Sequence, residues 1–359
     1  MTATYPKPPE SIIQFARHFP NEATCAAHLL QLRYPDGYAC PKCGSRKAWP
    51  ARERPGMMIC DNDHKVSLTA GTGLHRTKIG LLTWFHAAWL VATLKPGISA
   101  VQFQRQLGLT RLETAWTMLH KLRAGLVAPE RAKLTTKCDD PRHTAHWIEV
   151  DHIEVGGPQA REEKRAGRPA NKATVIVAVE VHAWQGSADD KDVPKGKRSQ
   201  FKPGWHTRAG RCRLRVVPNA GKYYAQKFMG ECVEFGSYIT TDYAQALHFI
   251  GEAGMRRYER VNASEDPDPL PTLGRVVTNL KRWLMGTHKG AVQAQHLQAY
   301  LNEYVFRFNR RDIPWIAFNR VLGLALLERP ALEYEGLYKH TWVHPNPSEP
   351  EAREQDLDF

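Results

Sequence analysis

Trp147-Ile-Glu-Val-Asp151 and Ser237-Tyr-Ile-Thr-Thr-Asp242 are two short apolar, β-branched stretches, each closed by an aspartate. Both read as strands. A carboxylate at a strand end is displayed by a rigid element, and two brought together offer the hard oxygen ligands that divalent cations need for phosphoryl transfer. A single aspartate of this kind is usually a solvated turn residue, so everything depends on whether the chain folds to pair them.

The surrounding strand signals come in a definite order. Residues 147–155, 173–183 and 212–217 are rich in Val and Ile and form three successive strands. A helix over 223–233, a fourth strand at 237–241, a helix over 244–250 and a short fifth strand near Tyr258 follow. An acidic, proline-rich loop at 264–271 then precedes helices over 272–285 and 294–310. Three strands, helix, strand, helix, strand, helix is the order of a ribonuclease-H-like mixed α/β sheet flanked by helices. In that fold the end of strand 1 lies beside the end of strand 4, so Asp151 and Asp242 are expected as neighbours holding Mg2+ or Mn2+, with two ions roughly 4 Å apart.

The N-terminal half carries different chemistry. Residues 11–32 read as a helical pair, followed by Cys40-Pro-Lys-Cys43-Gly44, a zinc-knuckle spacing. Cys60-Asp-Asn-Asp-His64 supplies a third thiolate and an imidazole across a hairpin, making Cys40, Cys43, Cys60 and His64 the expected Zn2+ ligands. Aspartate at position 63, where a ribbon usually repeats its second cysteine, leaves a degenerate, metal-free knuckle as the alternative. An apolar helix from Leu81 ends at Lys95-Pro-Gly97. Ser99-Ala-Val-Gln102 and Thr110-Arg-Leu-Glu113 are capping boxes that mark two further helices around Gly108, the pattern of a helix-turn-helix. Leu112, Ala115, Trp116, Leu119 and Leu122 form the apolar face of the second helix. Arg111, Thr114, Thr117, Lys121 and Arg123 form a polar, basic face suited to DNA, although a plain packing hairpin would show the same periodicity.

Charge points the same way. The 359 residues carry a formal +13 with a pI near 9.4, which favours a polyanionic partner through counterion release. From Pro347 onward five acidic residues face one arginine, the pattern of a solvated acidic tail. Residues 161–172 hold five basic residues against two acidic, and 195–213 hold seven against none, with Trp205 and His206 interleaved. Lys197, Arg198, Arg211 and Arg213 in that second run are candidate DNA contacts. Arg307 and Arg310, near the end of the last strongly patterned helix, are candidates too, unless they only cap it. No secretory leader is expected from Met1-Thr-Ala-Thr-Tyr-Pro, and no apolar run reaches the ~20 residues of a membrane span. Seven cysteines suit metal binding or buried thiols in a reducing cytoplasm, at the nucleoid. Gly196-Lys197 and Gly221-Lys222 lack the Ser or Thr of a phosphate loop, so no nucleotide cofactor is expected.

Several blocks together resemble a known family. They are Gly71-Thr-Gly73 with Thr83-Trp-Phe85, Val150-Asp151 with Gly156-Gly157, and Gly210-Arg-Cys-Arg-Leu214. Thr241-Asp242, Leu280-Lys-Arg-Trp-Leu284 with Gly286-Thr-His288, and Tyr300-Leu-Asn-Glu-Tyr-Val-Phe-Arg-Phe-Asn-Arg-Arg311 complete the set. Over residues 15–325 the chain resembles bacterial insertion-sequence transposases that join a zinc ribbon to a ribonuclease-H-like catalytic domain of the Asp-Asp-Glu type. The resemblance implies metal-dependent DNA cleavage and strand transfer, with double-stranded transposon ends and target as partners and at least a homodimer holding two ends. It implies a phosphate contact for Lys281, which otherwise reads as a solvated helix lysine. It also implies four segments: helices and zinc ribbon over 1–75, a helix-turn-helix region over 76–136, the catalytic domain over 146–325 and a tail over 326–359. Two departures stand out. His152 replaces the glutamate usual after the first aspartate, and Gly274 occupies the position of the third ligand, seven residues before Lys281. Asn279 and Glu154 are poor substitutes by helix phase and strand pleat. A catalytically impaired DNA-binding regulator is therefore the alternative to an active enzyme, and a structure-specific nuclease a further one.

Overall fold

The computed structural model describes residues 9–126, 133–137, 145–156, 172–186, 204–242, 247, 258–260, 270–288, 292, 294–327 and 334–338. The chain divides into two compact units, Met1–Ala128 with Arg310–Phe359, and Pro129–Asn309.

The first unit begins with helices α1 (Ile12–His18) and α2 (Glu22–Arg33), whose N-caps Ser11 and Asn21 accept from the backbone of Gln14 and Thr24. A three-stranded antiparallel ribbon follows, β1 (Ala48–Ala51), β2 (Arg54–Cys60) and β3 (Lys65–Ser67), in the order β1-β2-β3. Helix α3 (Leu81–Thr93) starts at Gly80, which has no capping side chain of its own. Glu22 on α2 supplies that cap, its carboxylate accepting from the N–H groups of Leu81 at 2.7 Å and Leu82 at 3.0 Å. A carboxylate on two free helix-terminal donors is a charge-assisted bond that also complements the helix dipole. Helices α4 (Ala100–Gln106) and α5 (Leu112–Gly125) come next, α4 capped by Ser99 as expected. The expected cap from Thr110 does not form: α5 begins after Arg111 with no side-chain cap.

Two C-terminal helices, α9 (Pro314–Ala325) and α10 (Tyr334–Tyr338), complete this unit. Phe318 on α9 lies within 5.5–5.9 Å of the rings of Phe15, Phe19, Phe85 and Trp89, forming an aromatic core in edge-on and tilted contacts. The expected catalytic segment, 146–325, runs past this division, since the first unit takes in the chain from Arg310 onward. The second unit closes at Asn309, because the apolar face of α9 is spent on α1 and α3.

The second unit is a five-stranded mixed sheet in the order β6-β5-β4-β7-β8. Strands β4 (Ala145–Val155), β5 (Ala173–Gly186) and β6 (Gly204–Val217) run antiparallel, whereas β7 (Ile239–Thr241) and β8 (Tyr258–Arg260) join β4 in parallel. β6 is longer than the expected 212–217, since it pairs along β5 back to Gly204. Helix α6 (Lys222–Cys232) covers one face over Ile148, Val150, Ile176 and Ala178. Helices α7 (Pro271–His288) and α8 (Ala294–Asn309) cover the other over Val155, Val175, Val177 and Leu214. The strand alternation thus turns Glu149, Asp151 and Ile153 to the α7–α8 face and Ile148, Val150 and His152 to the α6 face. The mixed α/β sheet flanked by helices is the fold class the strand order called for. The expected helix over 244–250 lies outside the described residues apart from buried Leu247. No helix among the described residues is long and apolar enough to cross a membrane.

Candidate active site and zinc cluster

Register decides where the two aspartates go. Ile148, Glu149 and Val150 pair with Ile239, Thr240 and Thr241 in parallel, so the next residues on the two strands are Asp151 and Asp242. Adjacent strands are about 4.8 Å apart, which brings the two carboxylates into one site. Asp151 is half-buried, and its Oδ1 accepts from the His152 N–H at 2.6 Å. Burial, and then the like charge of Asp242, push the Asp151 carboxyl up to about 7. An oxygen-only pair that repels itself has the donor chemistry of a hard divalent cation site.

His152 points to the opposite face by pleat, yet it feels the Asp242 charge, which raises its pKa against a larger lowering by burial. Among the described residues neither ring nitrogen of His152 has a hydrogen-bond partner. Glu154 is exposed and ion-paired to Lys172 at 3.2 Å, away from the site, as its pleat requires. Gly274 lies in the first turn of α7 and offers no ligand atom; Asn279 and Lys281 are exposed further along that helix.

A third acid at this site escaped the sequence. Glu149 is 1% exposed on the same pleat as Asp151, about 7 Å along the strand. Its Oε2 accepts from the Leu273 N–H at 2.6 Å and its Oε1 from the Trp147 indole at 3.4 Å. Burial raises its pKa, and the Leu273 hydrogen bond opposes that rise. Glu149 therefore ties the N-terminal turn of α7, including Gly274, to the strand that carries Asp151. A glutamate inside a strand two residues before an aspartate gives no hint of this, because its partner lies 124 positions away.

In the ribbon the four expected zinc ligands converge, all four ligand atoms lying within 4.8 Å of one another. Cys43 and Cys60 sulfurs are 3.7 Å apart, and the Cys40 sulfur is 3.9 Å from His64 Nδ1. A tetrahedron with ~2.3 Å metal–sulfur bonds has edges of about 3.8 Å, so the set fits one Zn2+. Gly44 at φ +72° closes the first knuckle, its N–H donating to the Cys40 carbonyl at 2.7 Å. Asp63 does the same for the second at φ +57°, its N–H donating to the Cys60 carbonyl at 2.9 Å. That left-handed residue takes up the extra position and lets the longer His64 side chain reach where a cysteine would stand. Hydrogen bonding from Asn62 heads the causes that bring the Cys43 thiol down to about 6, towards the thiolate that metal binding needs.

The expected DNA contacts fare unevenly. Arg111 is exposed and, with Thr117, Lys121, Thr77, Trp84 and Tyr334, lines a groove of about 400 Å3 on the polar face of α5. Lys121 donates to the His75 carbonyl at 3.5 Å. Arg123 is 2% exposed, in the half of α5 from Met118 to Gly125 where every residue but half-buried Lys121 is buried. Arg213, 3% exposed, donates to the Cys212 carbonyl. Arg211 is bound to Glu180 at 2.7 Å, and Arg307 lies over the Trp283 ring at 5.0 Å and beside Glu303. Arg310 is half-buried, and His206 is buried. Lys197, Arg198 and most of the 161–172 run lie outside the described residues.

Comparison with known proteins agrees with this architecture. Residues 145–309 match the ISXO2-like transposase domain family, and residues 20–62 match a transposase zinc-ribbon domain family. No curated protein and no solved structure matches the chain. The first match spans the sheet from β4 to the end of α8, and the second ends between Cys60 and His64. Together they cover more than half of the sequence, and the chain belongs to the insertion-sequence transposases that carry an N-terminal zinc ribbon.

Proposed function

We propose that this transposase binds the ends of a mobile DNA element and catalyses metal-dependent cleavage and strand transfer, with Asp151 and Asp242 holding Mg2+ or Mn2+. The observation that carries this reading is the parallel register of β4 and β7, which sets the two aspartates side by side on neighbouring strands. Divalent ions bound there supply activation of the attacking hydroxyl and stabilisation of the leaving oxygen. The chain's own residues do the rest. Asp151 and Asp242 fix the position of the charge, Glu149 anchors α7 beside them, and Lys281 on the exposed side of α7 meets a phosphate of the bound end.

End recognition falls to the ribbon and to α4–α5, read as a helix-turn-helix with Arg111 on its open face. The partner is double-stranded DNA, as element end and as target, and pairing two ends calls for a homodimer or larger assembly. The chemistry needs no nucleotide cofactor, and the compartment that fits is the cytoplasm, at the nucleoid. Gly274 favours a second reading, a catalytically impaired DNA-binding regulator, because no side chain there completes the aspartate pair. The deciding experiment incubates a labelled element-end duplex with Mg2+ or Mn2+ and either the wild-type chain or Asp242→Ala. Cleavage followed by joining of 3′ ends, lost in the variant, supports the enzyme. Binding without cleavage by the wild type leaves the regulator, and cleavage without joining leaves a nuclease.

A further inference from the structure

The zinc ribbon has two faces, and only one is used for metal and core. Across its strands Pro50, Met58 and Val66 form one row and Trp49, Ile59 and Lys65 the next, so the two rows point to opposite sides. The inner side carries buried Met58, Cys60 and Val66, and with them the metal ligands. The outer side presents Trp49, 51% exposed on the edge strand, beside half-buried Ile59 and Met57 and exposed Lys47 and Lys65. Between residues 42 and 65 six exposed lysines and arginines face three exposed acids. The indole is half exposed on a ribbon of net positive charge.

We propose that this outer ribbon face binds an unpaired DNA strand, with a base stacked on Trp49 and the adjoining phosphates on Lys47 and Lys65. The inference rests on the DNA-binding reading above and specifies a site within it. The form of the face selects the occupant. The major groove of duplex DNA admits a helix or a two-stranded ribbon, whereas this face is three strands wide. The open π-face of an indole finds a partner only where a base has left its stack, as in a frayed end or a displaced strand. Trp49 and Lys65 lie in one row about 10 Å apart, a span of roughly two nucleotides of extended strand.

The test uses the full-length zinc-loaded chain and two probes, a 20-nucleotide single strand containing 2-aminopurine and a blunt duplex of matched sequence. Wild type is expected to bind the single strand and quench its emission. Trp49→Ala should weaken that binding about 5- to 150-fold and abolish the quenching, while weakening duplex binding far less. Trp49→Phe should retain most of both, and Lys65→Gln should lower the salt dependence of single-strand binding without loss of zinc. Equal weakening for duplex and single strand, or no effect of Trp49→Ala, overturns the proposal. So does a change confined to self-association in sedimentation, which would make the face a protein contact. A wild-type chain that binds duplex but no single strand sinks this inference alone; one that binds neither sinks the DNA-binding reading with it.

Discussion

Asp63 is the residue on which the zinc site turns, because a non-glycine side chain holds φ +57° there. Left-handed backbone costs an L-residue roughly 1 kcal/mol, somewhat less for aspartate. Asp63→Gly should therefore raise thermal stability modestly and keep one zinc per chain by metal analysis, whereas His64→Ala should lose the metal; zinc retained in His64→Ala would remove it from the ligand set. Asp151 gives a pH signature. Its folded pKa of about 7 stands above the ordinary carboxylate value near 4, so the ionised form destabilises the fold. The cost is absent below about pH 4, grows up to about pH 7 and is constant above. Urea titrations in magnesium-free buffer should find Asp151→Asn more stable than wild type at pH 8, by on the order of 2 kcal/mol, with little difference at pH 4. An equal gain at both values would show that the charge of Asp151 is not what strains the site. The zinc-type ligands were legible in the sequence because cysteines and a histidine declare their chemistry by type and spacing, whereas the end of the strand at Asp151 was not, since β4 runs on to Val155. Arg123 and Arg213 were not: helix phase and charge density put them in solvent, and burial by distant segments took them out of it.

At the scale of elements, helix starts depend on side chains far away in sequence. Glu149 on β4 accepts from Leu273 at the start of α7, and Glu22 on α2 caps α3. Removing a buried acceptor leaves an unsatisfied N–H at a cost of about 1–3 kcal/mol. Glu149→Ala should thus destabilise the second unit by that amount and raise hydrogen exchange in the first turns of α7, while Glu149→Gln, which keeps a carbonyl oxygen for Leu273, should recover most of it. If the two variants behaved alike, charge rather than the hydrogen bond would be the anchor. The sequence showed local caps well where the fold used them, as at Ser99, and wrongly at Thr110, where α5 begins one residue later with its cap unmade. Strand order was the most legible element-level feature, since β-branched runs separated by helical periods leave few topologies open. Strand length was not, because the 204–211 half of β6 is polar and gains its place only by pairing with β5.

At the scale of the whole molecule, the chain returns to its N-terminal unit after completing the sheet. Helical periodicity locates α9 but cannot say which core it serves, because an apolar stripe fits any apolar partner. The structure answers through Phe318, whose ring meets Phe15, Phe19, Phe85 and Trp89, and through Gly125 on α5, where an added Cβ would lie 3.3 Å from the Leu324 backbone. Helices α5 and α9 thus approach closely at Gly125, where a larger residue would need the α9 backbone to give by a few tenths of an ångström. The units therefore interleave in sequence: the N-terminal helices lack part of their core until residues 314–325 have been made. Phe318→Ala should remove about 3–5 kcal/mol from the first unit. Hydrogen exchange should then show lost protection in α1 and α3 with the amides of β4, β5 and β6 unchanged. Protection lost from the sheet and kept in α1 and α3 would instead place α9 with the sheet, as a boundary at 325 requires.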